Sequence, residues 1–542
     1  MGNLAVSSRK SWSAAFFTAP GLLLALGIHM AGAADYPGCA SPKDADFRMV
    51  TLVTQAAGNL NQPLKMAFDM TDIGNVDIYF TEIAGSLRKF DAATKAVLTL
   101  GKIDVHTVDE YGLMGLALDP KFKANKSVFV LYMPNLTPYE LRISRFTLNG
   151  NQLDMGSEKI MIRIPAATGW HGGGGMAFDA DGNLWVGVGD TRSGEVAAPN
   201  TNDLRGKILR IHPEADGSYT IPKGNLFAPG QAKTRPEIYI MGNREPYTLA
   251  IDPKTQWLVW GEVGPDGYGE TEEYDLATKP YNAGFPYFAG NNKLLTQGDG
   301  IHVTPGNENP ASPTNTNAAN TGLTNLPPAT PGTYTYSQSC GMTGPIYRYD
   351  YIPNSPVKMP PQFDGLWFVT DFLTNTMDTM AVSAGGAPQR FGKVFSMKLN
   401  RPTDFKVGPD GALYAINYAG NYNTVSSTAI VRIEYTGTCR PEVQPTSAIL
   451  TDTRLRPDAL RFRNGRIRVN TDGESRLRIW DSRGRLRLVR DFRGREDFDP
   501  AALLGNGSGL YEATLVSGGR RWSGKLVLAG ASMAMGPGEP QP

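Results

Sequence analysis

The chain has 542 residues, 61 of them Gly and 39 Pro, and 41% of it is hydrophobic. That is enough apolar material for a large core, and the length implies two or more domains, or one large all-β unit with an appendage. A net charge of +1 gives no global field toward nucleic acid or an anionic membrane, which excludes both as partners expected from composition.

In chain order, residues 1–33 read as a signal peptide. Arg9 and Lys10 form its basic region, the apolar stretch AAFFTAPGLLLALGIHMAGA follows, and Ala31-Gly32-Ala33 supplies a small-residue cleavage site. An uncleaved membrane anchor is the competing reading; Pro20 and the A-x-A ending weigh against it. No other run is long and apolar enough to span a bilayer. The expectation is a secreted, periplasmic or cell-surface bacterial protein with no transmembrane segment after signal cleavage.

Residues 34–439 repeat one local pattern: an apolar pair, a turn holding Asp or Gly, then an apolar strand. The copies are Met66–Glu82, Leu116–Met133, Met176–Gly189, Leu249–Glu262, Phe363–Phe372 and Phe405–Asn417. Their turns suit hairpins, and alternating apolar positions suit strands with one buried face. Six such hairpins without helical periodicity predict an all-β fold, a six-bladed β-propeller. A β-sandwich is the competing fold. The longest insertion, Asn291–Tyr336, is rich in Asn, Thr and Pro and is expected to be a surface loop or lid edge.

Residues 440–448 read as a linker. Residues 449–530 alternate apolar residues with Arg, as in LRFRNGRIRVN and SRLRIWDSRGRLRLVRDF. This predicts a small β-sandwich-like module with one basic, wet face. It resembles the Ig-like or sorting modules of secreted bacterial proteins, and contact with export machinery is its expected role. Residues 531–542 are expected to form a disordered tail. The three cysteines are Cys39, Cys340 and Cys439, with no CxxC or CxxCH motif, so no zinc ribbon or covalently attached haem is indicated. Export permits a disulfide. A Cys39–Cys439 bridge would tie the two ends of the ring; three unpaired thiols is the other possibility.

The segment GWHGGGGMAFDADGNLWVGVGD runs from Gly169 to Asp190. Four glycines after His171 are expected to leave the imidazole exposed and to make room for a large ligand. Loops preceding the inner strand of a blade line the mouth of a propeller, so His171 is placed to meet a ligand there. A carboxylate such as Asp190 can orient an imidazole that acts as a general base near neutral pH. Taken alone, the pair is weak evidence and favours a structural histidine. His106, His212 and His302 have no motif around them and are expected to be structural.

The neighbouring motifs are DEYGLMGLALDPKF, NTNDLRGKILRIHPEADGSYTIPKGNLF, RPEIYIMGNREPYTLAID, GEVGPDGYGETEEYDLA and NAGFPYF. In order and approximate spacing they resemble the glucose/sorbosone dehydrogenase family, over roughly Gln62 to Glu434. Its members are soluble aldose dehydrogenases that depend on pyrroloquinoline quinone (PQQ) and have a six-bladed propeller fold. The resemblance implies that His171 is the catalytic base, that Asp190 supports it, and that Arg244 contacts the quinone. It implies further that the Gly264 and Pro265 carbonyls hold Ca2+, a hard cation that takes oxygen ligands. Cofactor positions fall on Glu110, Glu245, Tyr247 and the distal Arg401. Glu262, Glu272, Glu273 and Asp275 are candidate additional calcium ligands.

Several residues depart from the family pattern. Glu110 stands where Gln is frequent, Glu245 where Asn is, and Tyr247 where Gln is. Trp170 precedes the histidine, Thr403 replaces a second distal arginine, and VTDFLTNTM lacks the lysine that some members carry. The implied activity is oxidation of an aldose or related carbohydrate alcohol, aldose to lactone. Electrons would pass to an external acceptor, because the chain has no haem motif. The alternative is a non-catalytic propeller that binds carbohydrate or a cell-surface partner, since the fold alone does not choose between them.

Overall fold

The structure is a computed structural model that describes residues 39–167, 169–298, 301–302, 309–337, 339–420 and 427–440, followed by strands between 460 and 528. The expected signal peptide, most of the linker and the C-terminal tail lie outside the described residues. Five antiparallel four-stranded sheets and one six-stranded sheet, in which one pairing is parallel, form the main body. Their innermost strands are Pro63–Ala67, Leu113–Leu118, Met176–Phe178, Pro246–Ile251, Gly341–Ile346 and Pro402–Val407. Each packs against the next and the sixth returns to the first, so the ring is closed. This is the six-bladed β-propeller expected from the repeated hairpins, and we number the blades by these strands.

Blade 5 begins earlier than its hairpin pattern indicated. Its inner strand is Gly341–Ile346, and Leu366–Asp371 is its second strand. Blade 6 is composite: Phe47–Thr54, near the start of the described residues, pairs antiparallel with Ala429–Tyr435 as its outermost strand. Cys39 and Cys439 are disulfide-bonded beside this seam, with Cα atoms 5.3 Å apart. Cys439 follows the last strand by a short turn rather than ending it.

Large apolar side chains fill the spaces between blades. Trp185, Trp260 and Trp367, each on a second strand, are fully buried. Trp185 meets Tyr239 edge-on, with ring centroids 4.5 Å apart. Strands fully covered on both faces lose the alternation of a half-wet strand, which explains runs such as VFVLY and LWVGV. Blades 4 and 5 are also joined by a buried two-pronged ion pair, with Arg348 Nε and Nη2 donating to Asp252 over 2.8 and 2.6 Å.

The Asn291–Tyr336 insertion differs from its expected form. Tyr334–Tyr336 is the outermost strand of blade 4. Within the preceding segment, Asn320 Nδ2 donates to the carbonyls of Asn315 and Leu323, and Leu323 N–H donates to Thr201 Oγ1. Asn and Thr here replace ladder hydrogen bonds with side-chain ones. The insertion is clamped along the flank of the ring, and none of its described residues lines the cavity described below.

The C-terminal strands Leu460–Arg463, Arg466–Asp481, Leu486–Phe498, Gly509–Ser517 and Arg520–Leu528 belong to one hydrogen-bonded antiparallel sheet. The long second strand pairs with the first over its opening residues and with the fourth further on. The alternation reads as expected: Leu477 and Ile479 are buried, while Arg476 and Arg478 are half-exposed. Arg476 pairs with Asp491 at 2.7 Å and also meets Asp181 on a turn of blade 3.

Candidate active site

Loops from all six blades surround a cavity of about 560 Å³ at one end of the ring. Among its lining residues are Leu64, Glu110, His171, Arg244, Cys340 and Thr403, which between them come from every blade or from the loop leading into it.

His171 sits at φ 69°, in the left-handed region. Its backbone N–H donates to Glu110 Oε2 over 3.0 Å and its carbonyl accepts from Thr191 N–H. Nδ1 lies 2.6 Å from Asp190 Oδ1. That oxygen also accepts from Arg192 N–H, so the carboxylate is fixed from two sides. With Nδ1 engaged, the ring nitrogen left for the cavity is Nε2, the arrangement a general base requires.

The expectation of an exposed imidazole is overturned. His171 is 7% exposed and shows only an edge to the cavity. The glycines have a different reason as well. A Cβ at Gly172 would lie 2.4 Å from Met114 Sδ, and one at Gly174 would lie 2.6 Å from Met114 O. Gly173 and Gly174 also have φ of 80° and 137°, where a side chain is strained. The run lets the chain enter blade 3 pressed against blade 2; it opens no space above the ring.

Glu245 is the counterpart of Glu110 on the other side of the loop. Its Oε1 accepts from Gly173 N–H over 2.9 Å. Its Oε2 is buried and has no hydrogen-bond partner among the described residues. The Arg244 and Glu245 backbone N–H groups both donate to Glu262 Oε1, over 2.6 and 2.7 Å, which fixes the turn that presents both side chains. Arg244 Nη1 donates to Val263 O over 3.1 Å.

Burial pushes the carboxyls of Glu110 and Glu245 above the usual range, and the charge of Glu110 raises that of Glu245 further. Glu262 and Glu272 are both pushed up to about 8, again by desolvation first. Glu262 and Glu272 thus hold their protons more readily than exposed carboxyls do. The Arg244 guanidinium is buried, whereas Asp109 and Asp266 are exposed at the rim.

Glu110, His171, Arg244, Glu245, Tyr247 and Pro265 all line the cavity. Asp190 stands behind His171, and Gly264 behind Pro265, with its N–H donated to Glu272 Oε2 over 3.2 Å. Arg401 is not brought to the cavity: it donates to Gly420 O over 3.0 Å and lies behind Phe372, 5.7 Å from the ring centroid. Glu262, Glu273 and Asp275 are turned into the blade, away from the cavity, and only Glu272 of the acidic cluster lines it. Among the described residues no group of three or more His, Cys, Asp or Glu is arranged to hold a metal. His212 Nδ1 meets Asn183 Oδ1 at 3.0 Å and His106 packs against Tyr139, both as structural residues do. His302 lies on a short strand.

Sequence reasoning missed Arg192, Tyr268, Phe372 and Tyr418 on the cavity wall, and Lys65 one layer beneath it. Lys65 alone left a signal, a lysine inside the otherwise apolar inner strand PLKMA.

The site is thus a His–Asp pair and a buried arginine at the mouth of a closed six-bladed ring. Residues 60–424 match the Glucose / Sorbosone dehydrogenase family, and the chain belongs to that family. The aldose sugar dehydrogenase YliI of Escherichia coli K12 is 23% identical over 369 residues, 66% of this chain and 87% of that protein. The crystal structure of the soluble aldose sugar dehydrogenase of Escherichia coli in its apo-form superposes with a TM-score of 0.55 at 21% identity, covering 72% of this chain and 99% of that one. HIPL1 protein of Arabidopsis thaliana is 27% identical over 244 residues, 34% of each chain. Human Hedgehog-interacting protein is 28% identical over 160 residues, 27% of this chain and 23% of its own. The matched region thus spans about a third or less of these last two relatives.

Proposed function

We propose that the protein is an exported, PQQ- and calcium-dependent dehydrogenase that oxidises an aldose or related carbohydrate alcohol and passes electrons to an external acceptor. The observation that carries this reading is the His171–Asp190 pair, held beside Arg244 in a cavity large enough for a flat cofactor and a sugar.

The residues present fit such a cofactor. Trp170, Phe372 and Tyr418 offer aromatic walls, and Arg244 offers a cation for a carboxylate or a quinone oxygen. The buried Glu245 Oε2 has no hydrogen-bond partner among the described residues, and its carboxyl, whose pKa burial raises, would donate to an anionic group when protonated. Gly264 and Pro265 carbonyls with the Glu272 carboxyl would supply the oxygen donors that calcium takes. When bound, the quinone would supply the two-electron acceptor for a hydride leaving the sugar carbon. His171 Nε2 takes the proton from the sugar hydroxyl, and Asp190 stabilises the imidazolium that forms. Arg244 stabilises negative charge that develops beside it.

Export is supported by the Cys39–Cys439 disulfide, a bond that persists in oxidising compartments. No helix among the described residues is long and apolar enough to cross a membrane. The test is to incubate the purified protein with PQQ and Ca2+ and follow dye reduction with a panel of aldoses. Sugar-dependent reduction that requires PQQ is the expected result; its absence for every sugar overturns the enzyme reading. A second reading is a binding propeller without catalysis. It is favoured by Glu110 and Glu245, carboxyls at two cofactor positions.

A further inference from the structure

Lys65 leaves the inner strand of blade 1 and crosses the axis of the ring. Its ammonium donates to the carbonyls of Tyr247 on blade 4, over 2.8 Å, and of Thr403 on blade 6, over 3.2 Å. It also sits 3.3 Å from the centroid of the Tyr247 ring. A Cβ on Gly174 of the blade 3 entry would lie 3.1 Å from Lys65 Cε, so the side chain plugs the channel between opposite blades. Tyr247 and Thr403 both line the cavity, so the ammonium lies directly behind its floor.

All the contacts of this ammonium are neutral oxygens or a π face. Among the described residues it forms no ion pair; Asp404, its nearest carboxylate influence, is bridged to Lys406 at 3.6 Å and accepts from Met66 N–H. An amine 2% exposed, with no carboxylate in ion-pair contact and Asp404 acting on it only from further off, is held at a cost unless something compensates it. The groups that face it are Asp404 and Lys406 from blade 6 and Glu245 and Tyr247 from blade 4. Burial dominates over these and lowers its pKa to about 7.

We propose that Lys65 is a positioning cation for an anionic ligand: a carboxylate seated on the cavity floor over Tyr247 and Thr403 is matched by the ammonium behind them, which takes up a proton as the ligand binds. Thr403 is the position where the sequence lacks a second arginine, and the ammonium donates to the carbonyl of that same residue. The chain thus places its basic group behind the wall instead of on it. This inference rests on the reading of the cavity as a site for a carboxylated quinone.

The experiment is a fluorescence titration of the purified protein with PQQ in calcium buffer, for wild type and Lys65→Met. It is paired with calorimetry in two buffers of different ionisation enthalpy, which counts protons taken up. Binding about ten- to thirtyfold weaker is expected for Lys65→Met, the order for one unit charge a layer away at an effective dielectric of about 20. Wild type should take up about half a proton more than the variant at pH 7, as a group half-charged there becomes fully charged. The variant's Tm should be equal or higher, since methionine buries without the cost of an amine. PQQ that binds both proteins equally overturns the inference and leaves the cofactor reading standing. Weaker binding with unchanged proton uptake also overturns it, as a purely structural role would. If wild type binds no PQQ, the proposed function fails and this inference with it. If Lys65→Met does not fold, wild-type proton uptake decides: none at pH 7 overturns the proposal.

Discussion

His171 is a buried, hydrogen-bonded side chain that also lines the cavity, and the proposed function adds to this the role of a base. His171→Ala is therefore expected to slow sugar-dependent dye reduction by about 10²–10⁴-fold. It should also lower Tm, because Asp190 loses its partner in a buried setting; steady-state kinetics and a thermal melt read the two effects separately. An unchanged rate would remove His171 from the mechanism. Gly174→Ala has no chemistry to lose, yet with φ at 137° and Met114 O in the way it should destabilise by about 2 kcal/mol or more. A denaturant melt showing no loss would contradict the packing account. The histidine and its carboxylate were legible because the residues around them form contiguous motifs. Phe372 and Tyr418 were not, because they come from blades 5 and 6 and only ring closure brings them to the cavity that the blade 3 histidine lines.

Glu262 and Glu272 add a pH dependence. Both carboxyls are raised from about 4.5 to about 8 in the folded protein, so the native state holds protons that the unfolded chain releases. Their stabilisation is complete below about pH 4.5 and is lost as pH rises through 8. Lys65, Lys207 and Lys358, lowered to about 7, act in the opposite direction only above that pH. In EDTA, Tm should thus fall between pH 5 and 7, and Glu262→Gln should flatten the slope. A Tm that rises across this window would show that these carboxyls are charged in the folded state.

Among the elements, the hairpins were readable because the two inner strands of a blade are adjacent in sequence. The outer strand of blade 6 was not. Phe47–Thr54 has its partner at Ala429–Tyr435, and no local pattern reports a pairing across the whole ring. The Asn/Thr-rich insertion misled for a related reason: its composition looks unable to bury itself, while its hydrogen bonds run to residues such as Thr201 far back in the chain. The seam carries its own prediction. The Cys39–Cys439 bridge spans a sequence separation of 400, for which loop-closure entropy gives at most about 6 kcal/mol. Cys439→Ser should lower Tm and speed proteolysis of the N-terminal strand; a melt identical to wild type, with and without reductant, would show that strand pairing alone seals the ring.

At the scale of the whole molecule, the propeller is complete at the disulfide and the Arg-alternating sheet follows as a separate hydrogen-bonded unit. A protein ending after Arg440 should keep the Tm of the ring and the PQQ binding proposed for it. Coupled loss of both would make the C-terminal sheet part of the core. The cut must fall after Cys439, since an earlier one would remove the seam with the module.

That seam also orders events in time. A ribosome or translocation channel delivers Phe47–Thr54 among the first residues and Ala429–Tyr435 among the last of the ring. Throughout that interval the early strand has an open edge and the early cysteine an unpaired thiol. Blades 1 to 5 can form in succession as they emerge, but nothing locks them into a circle until the final hairpin arrives. The ring is therefore finished by its most distant parts, and the cavity at its mouth, which needs walls from all six blades, comes into existence only at that last step.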